Sequence, residues 1–211
     1  PCRARPRSIG LTTVACCGIN NRGAVLAGNM VISPVIDGRI VALNKTDGTK
    51  VWEVQIADPG KSETITGAPL IVKDMVVTGM AGAEYGVRGW IEALDLKTGK
   101  RRWRTYTIPA PGEPGSETWK DKHGAWKTGG GTTWVTGSYD PELNVIVWGT
   151  ANPGPDWDNA YRPGDNLWTD STIALDADSG KIKWGFQHTP NDPYDYDSIA
   201  ENTFVDTQIN G

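Results

Sequence analysis

One phrase recurs three times along this chain: Ala42-Leu-Asn-Lys-Thr-Asp-Gly-Thr-Lys-Val-Trp52, Ala93-Leu-Asp-Leu-Lys-Thr-Gly-Lys-Arg-Arg-Trp103 and Ala174-Leu-Asp-Ala-Asp-Ser-Gly-Lys-Ile-Lys-Trp184. Each copy places a Gly six residues after the Ala (Gly48, Gly99, Gly180) and the Trp ten residues after it. Such self-similarity belongs to chains built from like units that bury themselves against one another. Each copy reads as strand, tight turn, strand. Asn44, Asp95 and Asp176 can accept hydrogen bonds from the turn they open, and each Gly supplies the positive-φ position closed to other residues. Apolar residues flank the turn, as Ile40, Val41 and Leu43 do before it and Val51 and Trp52 after it, which is the pattern of a β-hairpin. A Trp at a fixed offset predicts an apolar plate packed between neighbouring units of a radial or stacked β-repeat, about 40–50 residues per unit. The first two Trp are 51 residues apart, one unit; the second and third are 81 apart, a unit plus insertions.

The rest of the sequence agrees with an all-β chain. Ten Trp against two Phe, with 26 Gly and 14 Pro in 211 residues, favour turns and flat packing over long helices. Strands are expected at 29–33 with 39–43, at 68–72 with 75–80, and at 132–137 with 143–149, and residues 107–128 and 153–170 read as long insertion loops. No linker divides the chain, so residues 1–211 are expected to form a single partial domain, with 1–15 as a lead-in. A net charge of −4 with interspersed signs argues against a nucleic-acid surface, and no apolar run is long enough to span a membrane. Pro1 to Arg7 is basic, without the apolar stretch of a secretory leader. Three cysteines cannot make a disulfide framework. The adjacent Cys16 and Cys17 are either two reduced thiols or a strained bridge, because neighbouring Cα atoms lie about 3.8 Å apart and disulfides usually span about 4.4–6.8 Å.

Between the strands lie segments with unusual combinations of groups. Gly82-Ala83-Glu84-Tyr85-Gly86 sets one carboxylate among small residues. Gly129-Gly130-Gly131-Thr132-Thr133-Trp134 allows backbone to approach something flat, with an indole beside it. Asn152 closes another apolar strand, and Asn191-Asp192-Pro-Tyr-Asp195-Tyr-Asp197 supplies three carboxylates. Oxygens from Glu, Asn and Asp gathered from separate units would suit a hard cation. Singly, each has a plainer reading: Glu84 a surface charge, Asn152 a turn former, Asp195 and Asp197 solvated acids, Trp134 a core residue.

The order Cys-Cys…Asn-Arg-Gly, Gly-Ala-Glu-x-Gly-Val-Arg-Gly, Gly-Gly-Gly-Thr-x-Trp, Asn-Pro…Arg-Pro-Gly-Asp-Asn and Thr-Pro-x-Asp…Asp-Tyr resembles the pyrroloquinoline quinone (PQQ)-dependent alcohol dehydrogenases, the methanol/ethanol branch above all. The resemblance runs from about Cys16 to the C-terminus. It implies about three blades of an eight-bladed quinoprotein β-propeller, an internal section without the blades that close the ring and inactive by itself. The repeated Trp would dock neighbouring blades. Cys16 and Cys17 match a vicinal disulfide against one face of PQQ, and Trp134 matches the indole on the other. Arg22, Thr66 and Thr132 match residues that bind its carboxylates and carbonyls, and Ala81, Gly82 and Ala83 line the same pocket. Some relatives carry a hydroxyl residue where this chain has Ala81.

By the same resemblance, Glu84 and Asn152 match metal ligands and Asp195 matches the catalytic base. Asp197 stands where an acid marks lanthanide-dependent members, and the charge it adds favours a trivalent ion, with Ca²⁺ as the alternative. The implied activity is oxidation of a small primary alcohol to the aldehyde, hydride passing to PQQ and electrons to a c-type cytochrome, in the periplasm. Trp168 to Asp176 lies nearer the ethanol-type members. The resemblance admits a homodimer of the full-length protein and a fused haem domain. A non-catalytic propeller scaffold shares the Trp repeat but has no use for the cysteine pair, Glu84, Asn152 and Asp195 together.

Overall fold

The structure, a computed structural model, describes residues 15, 16 and 18–208. The lead-in up to Val14, Cys2 within it, and Cys17 lie outside the described residues. Among the described residues twelve strands form three four-stranded antiparallel sheets, each a simple meander of consecutive strands. Blade one holds β1 (Val25–Ala27), β2 (Met30–Pro34), β3 (Arg39–Asn44) and β4 (Lys50–Gln55). Blade two holds β5 (Leu70–Val72), β6 (Met75–Gly79), β7 (Trp90–Asp95) and β8 (Arg101–Tyr106). Blade three holds β9 (Ser138–Asp140), β10 (Val145–Gly149), β11 (Ser171–Asp176) and β12 (Ile182–Gln187). The 81-residue interval is thus a blade with two insertions, one before β9 and one between β10 and β11.

Each repeated phrase is the hairpin joining the third and fourth strands. In all three the Gly N–H donates to the carbonyl of the Asn or Asp that opens the turn, at 2.8 Å (Gly48 to Asn44, Gly99 to Asp95, Gly180 to Asp176). The opening side chain also caps its turn: Asn44 Oδ1 accepts from Thr46 N, Asp95 Oδ1 from Thr98 N, and Asp176 Oδ1 from Ser179 N. Ala pairs with Trp across each hairpin (Ala42 with Trp52, Ala93 with Trp103, Ala174 with Trp184), with a register shift just after the Ala in every case.

The middle strands of blade two are apolar on both faces, interrupted only by the buried Thr78 and Glu92, because both faces are covered. Val76, Trp90 and Leu94 enter a core shared with Ile32, Ile40 and Trp52 of blade one. Their alternating neighbours Met75, Val77, Ile91 and Ala93 enter a second core with Ile146, Trp148, Ile173 and Leu175 of blade three. The repeated Trp closes each contact. Trp52 lies on the turn of blade two, where a Cβ on Gly99 would stand 2.8 Å from its ring, and its indole N–H donates to Leu96 O at 3.0 Å. Trp103 does the same to blade three, over Gly180 at 2.5 Å and onto Ala177 O at 3.2 Å. Trp184 holds the equivalent place on blade three and is half exposed.

One strand expectation fails. Residues 132–137 form no strand, and pairing with β10 begins only at Ser138. The reason lies in where the hydrogen bonds go: Thr133 N donates to Met80 O and Thr133 Oγ1 to Trp90 O, so the segment is tied to blade two.

If the Trp plates set the blade contacts, Trp103→Ala should cost about 3–5 kcal/mol of stability, the range for deleting a buried aromatic. Gly180→Ala should also destabilise, since it adds a Cβ at φ +71° against the same ring. Denaturant unfolding of the complete protein checks both; wild-type midpoints would refute the docking role.

Candidate active site

The nominated residues among those described emerge at one edge of the blades, and the meander explains why. In a four-stranded antiparallel sheet the first strand begins, the second ends, the third begins and the fourth ends at the same edge. That edge carries Arg22 ahead of β1, Thr66 after β4, Ala81 to Glu84 between β6 and β7, and Thr132 and Trp134 between β8 and β9. It also carries Asn152 between β10 and β11, and Asp195 and Asp197 beyond β12. The Trp hairpins occupy the opposite edge.

Short backbone bridges stitch these segments together: Thr64 with Ala81, Arg88 with Gly130, Gly130 with Pro153, and Thr150 with Ser198. Gly130, at φ +73°, lies where a Cβ would meet Asn152 O at 2.6 Å. Beside it, Cβ positions at Gly129 and Gly131 would strike Trp119 and Ile108. The glycine run therefore serves close approach within the protein, where the sequence suggested close approach to a flat ligand. Gly82, at φ +123°, lies equally close to Ser62 O, and Ala83 beside it is buried.

Backbone and side-chain contacts link several of the nominated residues across the site. Arg22 N donates to Thr66 O at 3.0 Å, and the Arg22 guanidinium lies 4.5 Å from the centre of the Trp134 ring. The Trp134 indole lies close enough to the Asp197 carboxylate to favour its charged form. Asp197 Oδ1 accepts from Asn152 N at 3.3 Å. The Thr66 and Thr132 hydroxyls are buried and meet no hydrogen-bonding partner among the described residues. Buried hydroxyls are seldom left so, and this pair fits a polar ligand lying against Trp134. Cys16 is disulfide-bonded, and its expected bond to Cys17 lies outside the described residues.

The acid-rich loop is organised by Asp192, which is fully buried. Its Oδ1 accepts from Tyr194 N at 2.8 Å and its Oδ2 from Tyr196 N at 2.7 Å, and between them Asp195 adopts a left-handed φ of +64°. Asp192 is thus engaged by the backbone of its own loop, while Asp195 and Asp197 stand exposed at the edge. A buried arginine absent from the sequence-based assignments, Arg162, clamps this loop to the one after Asn152. It donates to Pro155 O, Asp156 O, Asp192 O and Asn166 Oδ1.

Acids outnumber cations here. Removal from water pushes the Glu84 carboxyl up, and the charges of Asp197 and Asp195 push it further, against the pull of its own backbone N–H. Asp195 is raised by desolvation and by Asp192. Asp197 is raised by desolvation and by the same loop acids, although Asn152 N–H and Trp134 oppose the shift. Two further acids were not singled out from sequence. Asp156 is pushed up to about 6 by desolvation, then by Asp195 and Glu84. Asp170, fully buried with both oxygens unpartnered, is pushed up to about 9 by desolvation, then by Asp192 and Asp197. Among the described residues no three His, Cys, Asp or Glu side chains are close-set enough to hold an ion as a ready cluster. Glu84, Asp195 and Asp197 share one electrostatic neighbourhood without a closed ligand shell. Crowded carboxyls with raised pKa values favour a multivalent cation among them.

Comparison with known proteins shows the family and the fold to which the chain belongs. The family model described as "PQQ: Glucose/ethanol/alcohol dehydrogenase, beta-propeller domain" matches residues 57–211. A lanthanide-dependent methanol dehydrogenase of Methylacidiphilum fumariolicum is 41% identical over 94% of this chain and 35% of its own length. The quinoprotein alcohol dehydrogenase PedH of Pseudomonas putida is 42% identical over 88% of this chain and 33% of its own length. Among solved structures, a europium-containing methanol dehydrogenase superposes with a TM-score of 0.83 at 41% identity, over 88% of this chain and 35% of that one. The quinohemoprotein alcohol dehydrogenase of Comamonas testosteroni superposes with a TM-score of 0.86 at 41% identity, over 93% of this chain and 31% of that one. The three sheets are therefore blades of a β-propeller of the quinoprotein dehydrogenase class. The chain belongs to the PQQ glucose/ethanol/alcohol dehydrogenase family, and it spans about a third of the length of these relatives.

Asp156 and Asp170 lie above the value near 3.9 of an unfolded chain. As pH rises from about 4 the unfolded state releases these protons first, so the metal-free protein should lose stability between about pH 4 and pH 9. Asp170→Asn removes the larger shift and should stabilise the EDTA-treated protein by about 2–5 kcal/mol at pH 8, with little gain at pH 4. Urea unfolding at the two pH values checks this, and an unchanged pH dependence would contradict it.

Proposed function

We propose that this chain carries the active-site blades of a PQQ- and metal-dependent alcohol dehydrogenase that converts a small primary alcohol to its aldehyde. The reading includes a c-type cytochrome as electron acceptor and a periplasmic location. The observation that carries it is the meeting, at one blade edge, of two unpartnered buried hydroxyls, Arg22, Trp134 and the carboxyls of Glu84, Asp195 and Asp197. A non-catalytic scaffold has no use for that combination.

When bound, the quinone supplies the hydride acceptor and the cation the Lewis acid. The protein binds and orients. Trp134 offers a stacking face, Arg22 a positive charge for a ligand carboxylate, and the Thr66 and Thr132 hydroxyls hydrogen bonds for its oxygens. Glu84, Asn152 Oδ1, Asp195 and Asp197 would hold the cation. Asp195 accepts the alcohol hydroxyl proton on a carboxylate oxygen, and its raised pKa makes it a better base than a solvated aspartate. Asp197 adds an anionic donor, and three carboxylates at one ion favour a trivalent lanthanide over Ca²⁺. The lanthanide-dependent and europium-containing relatives support that choice.

Reconstitution of the complete protein with PQQ and either La³⁺ or Ca²⁺ tests the assignment through dye-linked alcohol oxidation. Turnover should be greater with La³⁺. Asp197→Ala should abolish the La³⁺ preference, and Asp195→Asn should lower kcat about 10²–10⁴-fold with either metal. Higher activity with Ca²⁺ would reverse the metal assignment, and near-normal turnover of Asp195→Asn would remove Asp195 as the base.

A further inference from the structure

Asn152 is a buried amide whose two N–H bonds are both engaged. Its Nδ2 donates to Asp156 Oδ1 at 2.8 Å and to Pro153 O at 3.3 Å. Pro153 O can only accept, and Asp156 accepts as its carboxylate, so the amide stands one way round: nitrogen toward Asp156 and Pro153, Oδ1 away from them. Asp156 is itself held firmly. The carbonyls of Pro155 and Asp156 accept from Arg162 Nε and Nη2, both at 2.9 Å, and the same guanidinium reaches Asp192 O and Asn166 Oδ1. No described group donates to Asp156 other than Asn152, so the 2.8 Å bond is the one specific tie of this carboxylate.

We propose that Asp156 is a positioning residue for the cation site: by accepting the Asn152 Nδ2 hydrogen bond it fixes the amide so that Oδ1 is the atom offered to the metal. This rests on the reading of Asn152 as a metal ligand. Without Asp156 one amide hydrogen loses its acceptor and the group is free to turn its nitrogen toward the cation, which repels it. Asn at position 156 keeps an acceptor oxygen for the same bond while losing the charge, so it separates orientation from electrostatics.

Tb³⁺ luminescence titration of the complete protein without quinone reads the effect directly. Asp156→Ala and the isosteric Asp156→Leu should each weaken Tb³⁺ binding about 10–100-fold, the range for lost outer-shell partners of metal ligands. Asp156→Asn should stay within about threefold of wild type. In an Asn152→Ala background, Asp156→Ala should have little further effect. Wild-type affinity in Asp156→Ala or Asp156→Leu, or equal loss in Asp156→Asn, overturns the positioning role. If Asn152→Ala alone binds Tb³⁺ as wild type does, the ligand assignment of Asn152 fails instead, and the two failures are thereby told apart. An unfolding midpoint for Asp156→Asn no lower than that of wild type, alongside intact binding, separates orientation from a general structural effect.

Discussion

Everything at the chemical edge depends on an interaction at the other one, the seating of each Trp plate on the glycine turn of the next blade. Trp52 over Gly99 and Trp103 over Gly180 combine a flat apolar contact with an indole hydrogen bond to a turn carbonyl. The contact admits no Cβ, so it fixes both the separation and the angle of adjacent sheets. Once two sheets are registered at the hairpin edge, antiparallel pairing carries the registration along every strand. Arg22, Thr66, Trp134 and Asn152, up to 130 residues apart in sequence, then meet without contacts designed for each pair.

What the docking leaves open, the connections finish. The bridges at Thr64–Ala81, Arg88–Gly130, Gly130–Pro153 and Thr150–Ser198 are main-chain contacts, and Gly130 and Gly82 make room for them. A site floor built of backbone places side chains more precisely than loops resting on solvent do. Arg162 adds the remaining constraint. By reaching the carbonyls of Pro155, Asp156 and Asp192 it makes the Asn152 connection and the Asp195 loop one unit, with a positive charge beneath a crowd of acids.

The parts of this molecule legible in its sequence are those whose cause is local. The hairpins were, because a capping Asn or Asp, a positive-φ Gly and flanking apolar residues lie within eleven positions. The edges of β2, β3, β6 and β10 were legible to within about two residues for the same reason. Residues 132–137 looked like a strand and are not, because the hydroxyl and amide of Thr133 bond across blades to Trp90 and Met80. The candidate site residues could be nominated only through the order of their motifs, since spacing alone cannot bring Glu84 to Asp197. Arg162, Asp156 and Asp170 escaped because their meaning is burial, a tertiary quantity: an acid ahead of an apolar strand reads as an ordinary loop residue until both its oxygens prove unpartnered. Asp192 misled in the opposite sense, since its carboxylate serves the turn that presents Asp195.

The division between the two edges also bears on how such a site tolerates its charge. Five carboxyls raised above their ordinary values oppose folding at neutral pH, and the Trp edge, being apolar and hydrogen-bonded to main chain, contributes stability that no titration removes. The fold can therefore hold acids together ahead of any cation, with protons as the competing ligand. A proton neutralises one carboxyl at a time, whereas a trivalent ion acts on several at once through Coulomb terms that grow as water is excluded. The same crowding that weakens the metal-free state raises the advantage of the most highly charged ion that fits, so the selectivity of the site is written in its repulsion as much as in its donors.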